Sequence, residues 1–158
     1  MFCKNMNEKE YDEKIDEALK LRNAGEIQES LSILSNIFET IPANDIRSLG
    51  LVGSLFRESN ELTKALYCFD KAVESDPLSS RASLGLFHTL WRMERYDEAF
   101  NELERFLLLS ESHEHFMLLE DMKKGFFSDS VNKFNDPFSL IKEMKENLST
   151  SLIENSSQ

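Results

Sequence analysis

The chain has 158 residues, of which 41% are hydrophobic and 30% charged, with a formal net charge of −11. That length and apolar content build one cored domain, and the acidity excludes a nucleic-acid binder, which needs a local cation excess. Five Gly and three Pro are too few for the turns of an all-β fold, and two Cys cannot make a disulfide framework.

No apolar run approaches the ~20 residues of a membrane helix, and "MFCKNMNEKEYDEK" carries no signal-like apolar stretch. The expectation is a cytoplasmic protein with reduced thiols at Cys3 and Cys68. Residues 1–10 read as a flexible N-terminus. From there the elements alternate in pairs. "KIDEALKLRN" is a helix broken at Gly25, and "GEIQESLSILSNIFETIP" a second one closed by Pro42. "PAND" then offers Asn44 or Asp45 as an N-cap for "SLGLVGSLFRES", where Leu49, Val52, Gly53 and Phe56 share one face. Asn60 breaks that helix before "ALYCFDKAVESDP". "DPLSS" offers Ser79 or Ser80 as the cap for "SLGLFHTLWRM", and Glu94, a poor break signal, precedes "YDEAFNELERFL". Residues 112–124 form a further amphipathic helix, 126–136 a loop, 137–148 a last helix with Phe138, Ile141, Met144 and Leu148 on one side, and 149–158 a disordered tail.

The pairs repeat. A shift of 34 or 35 residues superposes Ser30, Ala65 and Ala99 as small residues, then Leu34, Phe69 and Leu103 four later, then Ile37, Ala72 and Phe106 three after that. Pro42 and Pro77 fall twelve after the small residue, and Glu111 stands there in the third copy. In this pattern the chain resembles the tetratricopeptide repeat family, most strongly through Leu49, Val52–Gly53, Phe56, Ala65, Phe69 and Pro77. Copies 11–44 and 80–113 match in part, with Lys14 and Ser83 where the family has a large apolar residue. Trp91 does not occupy the family's leading Trp position. The resemblance covers residues 11–113 and implies an all-α fold: a solenoid of three helix-turn-helix hairpins (11–44, 45–79, 80–113) with extra C-terminal helices. The array of residues 11–125 is then followed by a loop and capping helix over 126–148.

No catalytic constellation stands out. There is no phosphate-cradling Gly loop, nucleophile elbow or Cys-x-x-Cys. His113 and His115, two apart, point to different sides of a helix and read as solvated helix-end residues; Cys68 reads as a small apolar residue. No enzyme, metal or cofactor is expected.

The family's groove is lined by the first helix of each hairpin. Carried over by position, the partner-binding residues are Ile15, Leu19 and Arg22 in the first copy, with Asp12 and Asn23 beside them. The second copy supplies Arg47, Ser54 and Arg57, with Gly50 and Glu58, and the third Arg81, Leu84, His88, Trp91 and Arg92. Five of the seven arginines fall in this set. Arg22, Arg57 and Arg92 stand near helix C-termini, where the macrodipole favours a cation by ~0.3–1 kcal/mol. Arg47 and Arg81 stand in a first turn, where the same dipole opposes one, unless Asp45 or Asp76 pairs with them. The carboxylate clamp of chaperone-binding family members is absent, because Ile15, Leu19, Leu51 and Gly85 occupy four of its places and only Arg81 is basic.

The expected function is a non-catalytic protein–protein interaction module with one dedicated protein partner, no nucleic acid and no membrane. The leading role is a bacterial immunity-type inhibitor of a toxin, whose acidic end regions meet a basic target. The alternatives are a dedicated chaperone or adaptor for a secreted protein, whose relatives carry a further N-terminal helix, and a self-associating repeat protein that forms a homodimer.

Overall fold

The computed structural model describes residues 6–127 and 136–156. Among these residues there are eight α-helices: α1 Glu8–Asn23, α2 Ile27–Ile37, α3 Ile46–Glu58, α4 Leu62–Ser75, α5 Ser80–Arg92, α6 Tyr96–Leu109, α7 His113–Phe126 and α8 Pro137–Ser156. A 3-10 turn at Phe38–Thr40 extends α2. Helices pair as α1/α2, α3/α4 and α5/α6, and the pairs stack, with α1 against α3, α3 against α5 and α5 against α7. The result is an all-helical, solenoid-like array.

The residues of the repeat pattern form its core. Ser30, Ala65 and Ala99 are buried, as are Leu34, Phe69 and Leu103, and Ile37, Ala72 and Phe106. The small residues sit where two helices of a hairpin cross, and the Ser30 hydroxyl donates to the Ala18 carbonyl at 2.7 Å. Phe69 enters the step between hairpins. A Cβ built on Gly85 would stand 2.1 Å from its ring, and one on Gly53 3.0 Å, so the ring rests between two helices that bear no side chain there. Close approach of α3, α4 and α5 therefore depends on two glycines and one ring.

The first helices are capped by side chains and the second ones are not. Asn7 and Glu10 form a reciprocal capping box on α1, while Asp45, Ser79 and Ser112 accept from backbone N–H groups at the starts of α3, α5 and α7. Of the caps offered by the sequence, Asp45 and Ser79 serve. Within each hairpin the chain reverses through a left-handed residue: Gly25 (φ 86°), Asn60 (φ 62°) and Glu94 (φ 59°). Glu94 takes that conformation despite its Cβ because Arg95 N must reach back to Leu90 O, at 3.0 Å, as Glu61 N reaches Phe56 O.

Two elements run longer than the sequence pattern. The last helix continues from 148 to Ser156, through residues expected to be disordered. No Gly or Pro interrupts 138–156, and the Ser149, Thr150 and Ser151 hydroxyls donate to carbonyls four residues back, which satisfies them within the helix. Helix α7 likewise includes Phe126. Within the segments expected to be irregular, residues 1–5, 128–135 and 157–158 lie outside the described residues. Helix α8 packs on α6 and α7 through Leu140, Ile141 and Met144, and Lys145 donates to Asn101 Oδ1 at 2.7 Å.

Candidate partner-binding groove

The first helices present one continuous face, and its cationic residues differ in what they touch. Arg22 at the end of α1 donates to Glu58 on α3 at 3.0 Å. Arg92 at the end of α5 donates to the Arg57 carbonyl at 2.5 Å and to Asn60 Oδ1 at 3.3 Å. Both arginines bind one hairpin to its neighbour, Arg22 through the Glu58 carboxylate and Arg92 through a helix-end carbonyl, so their places near helix C-termini have a structural cause. Arg57 is half-buried over the Phe69 ring, 5.5 Å from its centroid, and donates to the Gly85 carbonyl at 3.4 Å.

Arg47 and Arg81 are different. Both are exposed in the first turns of α3 and α5, and neither has a hydrogen bond or ion pair to any described residue. The carboxylates that could have held them are engaged elsewhere. Asp45 accepts from Ser48 N at 3.0 Å and from the Tyr11 hydroxyl at 2.8 Å, and Arg47 acts on it only at a distance. Asp76 accepts from Leu78 N at 3.2 Å. A cation placed against a helix dipole with no partner is a local cost to stability.

Between α3 and α5 these residues border a groove of about 800 Å³, with Ser54, Leu84 and His88 along it, Gly50 in its floor and one acid, Glu114 of α7, on its lining. Ile15 does not line it. That side chain is 3% exposed within the core, and Leu19 packs partly against the same core. The first-copy residues thus drop out of the groove, while the second and third copies come together around it. His88 also borders a second hollow of about 470 Å³ between α5 and α7. Its apolar walls are Phe87 and Trp91 from α5 and Leu118, Met122 and Phe126 from α7. Trp91 stacks on Phe87 at 5.7 Å and meets Phe126 edge-on at 6.5 Å.

No protein-family model matches the chain, and no curated protein does.

Two titratable side chains nearby are shifted from their ordinary values, each chiefly by burial. Partial burial and the neighbouring Arg57 charge both lower the pKa of His88. The Cys68 thiol is fully buried in the core and pushed up to about 12 by that burial. Among the described residues no three His, Cys, Asp or Glu side chains converge as a metal set. His113 is exposed, as its helix-end position suggests, but His115 is a correction to the sequence reading. Its ring is fully buried, stacked 3.9 Å from Phe106, with Nδ1 2.9 Å from the Ser112 hydroxyl and Nε2 3.0 Å from Ser83. Burial lowers its pKa to about 4. This His–Ser pair fastens α7 to α5 and so fixes the second hollow.

The α7 contribution was not legible. Its lining residues, Leu118, Asp121, Met122, Gly125 and Phe126, lie beyond the 11–113 repeat, in a stretch that the sequence marks only as an amphipathic helix and the start of a loop.

Proposed function

We propose that the chain is a tetratricopeptide-repeat-like module that holds one protein partner in the groove between α3 and α5 and acts by binding alone. The observation that carries this reading is the placement of Arg47 and Arg81: exposed, without partners, and opposed by the dipoles of their own helices. The dipoles of their own helices oppose both charges and only Arg47 has an offset, a distant pull on the Asp45 carboxylate, whereas a carboxylate on a partner would receive paired hydrogen bonds from each guanidinium. The repeat pattern fits an immunity-type inhibitor or a dedicated chaperone, and the acid-rich ends, suited to a basic toxin, put the inhibitor first.

The test is capture from the native host. The tagged chain is purified gently and its companion identified by mass spectrometry, alongside an Arg47→Glu/Arg81→Glu variant. One stoichiometric companion, lost from the variant while its melting temperature holds or rises, is the expected result. A companion whose expression alone arrests growth marks an inhibitor, and one found outside the cell marks a chaperone. A companion retained by the variant, or a pure homodimer without one, would overturn the reading.

A further inference from the structure

The groove between α3 and α5 and the hollow between α5 and α7 meet at His88 and have opposite chemistry. We infer that together they form one two-part site for an extended partner segment whose carboxylates lie about four residues from a bulky apolar side chain. This rests on the reading of the α3/α5 groove as a protein-binding face and specifies what that face recognises.

The anionic half of the ligand is set by Arg47 and Arg81, with Arg57 half-buried behind them; these three cations outnumber the one acid on that lining, Glu114, which accepts from the Ser112 hydroxyl at 2.9 Å. Gly50 lies buried beneath the Arg81 stem, whose Cδ is 3.7 Å from where a Cβ would stand, so the stem rests on bare backbone while the guanidinium stays exposed. The other half excludes charge of that sign. Its walls are aromatic and aliphatic, and the one charged lining group, Asp121, repels a carboxylate. The hollow is large enough for one phenylalanine- or leucine-sized side chain, and the stacked pair Phe87 and Trp91 offers such a side chain a flat surface. His88, held towards its neutral form at the junction, contributes hydrogen bonding without adding charge to either half.

The spacing follows from helix geometry. Arg81 and Trp91 are ten residues apart on α5, about 15 Å along its axis. An extended chain covers that distance in about four to five residues.

Trp91 is the sole tryptophan and lines the apolar half, so its emission reports occupancy directly. The probe is a capped synthetic peptide with two glutamates, a three-residue Gly/Ser spacer and a phenylalanine. Its two controls carry lysine for glutamate, or serine for phenylalanine. The parent peptide is expected to shift Trp91 emission with a saturable isotherm. Each control should bind about tenfold or more weakly, the loss expected for a buried ring or a paired carboxylate. In the Arg81→Glu variant the preference for glutamate over lysine should reverse while that for phenylalanine persists.

Binding that ignores the phenylalanine would overturn the two-part site and leave the arginine face standing. Binding that ignores the glutamates would remove the anionic half, and no response up to about 1 mM would remove both. Failure of the function itself is read separately, from partner capture by the Arg47→Glu/Arg81→Glu variant. Concentration-dependent self-association of the wild-type chain, abolished by Arg81→Glu, would make the occupant a second copy and overturn the proposal.

Discussion

Replacing Gly85 with alanine should destabilise the array although it improves helix propensity. The added Cβ would sit 2.1, 2.4 and 2.6 Å from three carbons of the Phe69 ring, against an optimum of roughly 3.5–4.0 Å between carbons. Phe69 is 1% exposed, rests on Gly53 at its other side and lies under Arg57, so it has no empty space to enter. Overpacking of this kind costs about 1–3 kcal/mol, and the Gly-to-Ala gain inside a helix returns about 0.8–1 kcal/mol. A 2.1 Å approach to a ring with nowhere to go puts the cost in the upper part of that range, about 2–3 kcal/mol, so the net expectation is a loss of about 1–2 kcal/mol, or roughly 2–8 °C in melting temperature for a chain of this size. Gly50→Ala is the internal comparison. Its Cβ would meet only Arg81 Cδ, at an ordinary 3.7 Å, so stability should rise by about 0.5–1 kcal/mol. Urea unfolding followed by helical circular dichroism measures both. In a Gly85→Ala background, Phe69→Leu should cost less than it does alone, giving a coupling of about 1 kcal/mol in the double-mutant cycle. A Gly85→Ala chain that unfolds at the wild-type urea midpoint or above would refute the account of how the hairpins stack.

Glu94→Gly should stabilise the α5/α6 turn by about 0.5–1 kcal/mol, because φ 59° is strained for a residue with a Cβ; a lower urea midpoint would refute this. His115 should stay neutral down to about pH 4 by ring-nitrogen NMR, and a charged ring at pH 5 would refute its buried placement. Its folded-state pKa lies below the unfolded value of about 6.5, so the unfolded chain takes up the proton first. Stability should therefore fall from about pH 6.5 towards about pH 4, with a slope of at most about 1.4 kcal/mol per pH unit from this group. Tyr11→Phe removes the hydroxyl that donates to the cap residue Asp45 and should cost about 0.5–1.5 kcal/mol in a urea melt, whereas an unchanged midpoint would show that the α1–α3 hydrogen bond adds nothing.

The hairpins were legible because one requirement recurs three times. Ala65 and Ala99 must be small for helices to touch, Phe69 and Leu103 must be large to fill the next step, and both demands mark the sequence at the same spacing. Glu94 falls at the break that the repeat assigns it, although its residue type is a poor signal for one. Its backbone conformation is imposed by the turn between α5 and α6, so the residue identity carries little of the information. His115 and the α7 side of the groove were hidden because their partners, Ser83, Phe106 and Trp91, lie on other helices, and no local spacing encodes such contacts. Ile15 is buried because, among the described residues, the apolar side chains of α1 serve the core shared with α2 and α3 instead of a concave lining.

The arginines show how one residue type on one face can serve two ends. Arg22 and Arg92 sit where the helix dipole favours them and reach carboxylate, amide or carbonyl oxygens of the neighbouring hairpin, so stability alone accounts for them. Arg47 and Arg81 sit at the other ends of their helices, and the acids beside them are committed to capping and turn hydrogen bonds. Side-chain caps on α3 and α5 already satisfy the N–H groups that an acidic residue there would serve, which leaves the first turn able to carry a cation at a small cost. Stability and recognition therefore make opposite demands on the two ends of the same helices. Exchange of Arg81 for Glu separates them, because it should relieve the first and reverse the charge preference of the second.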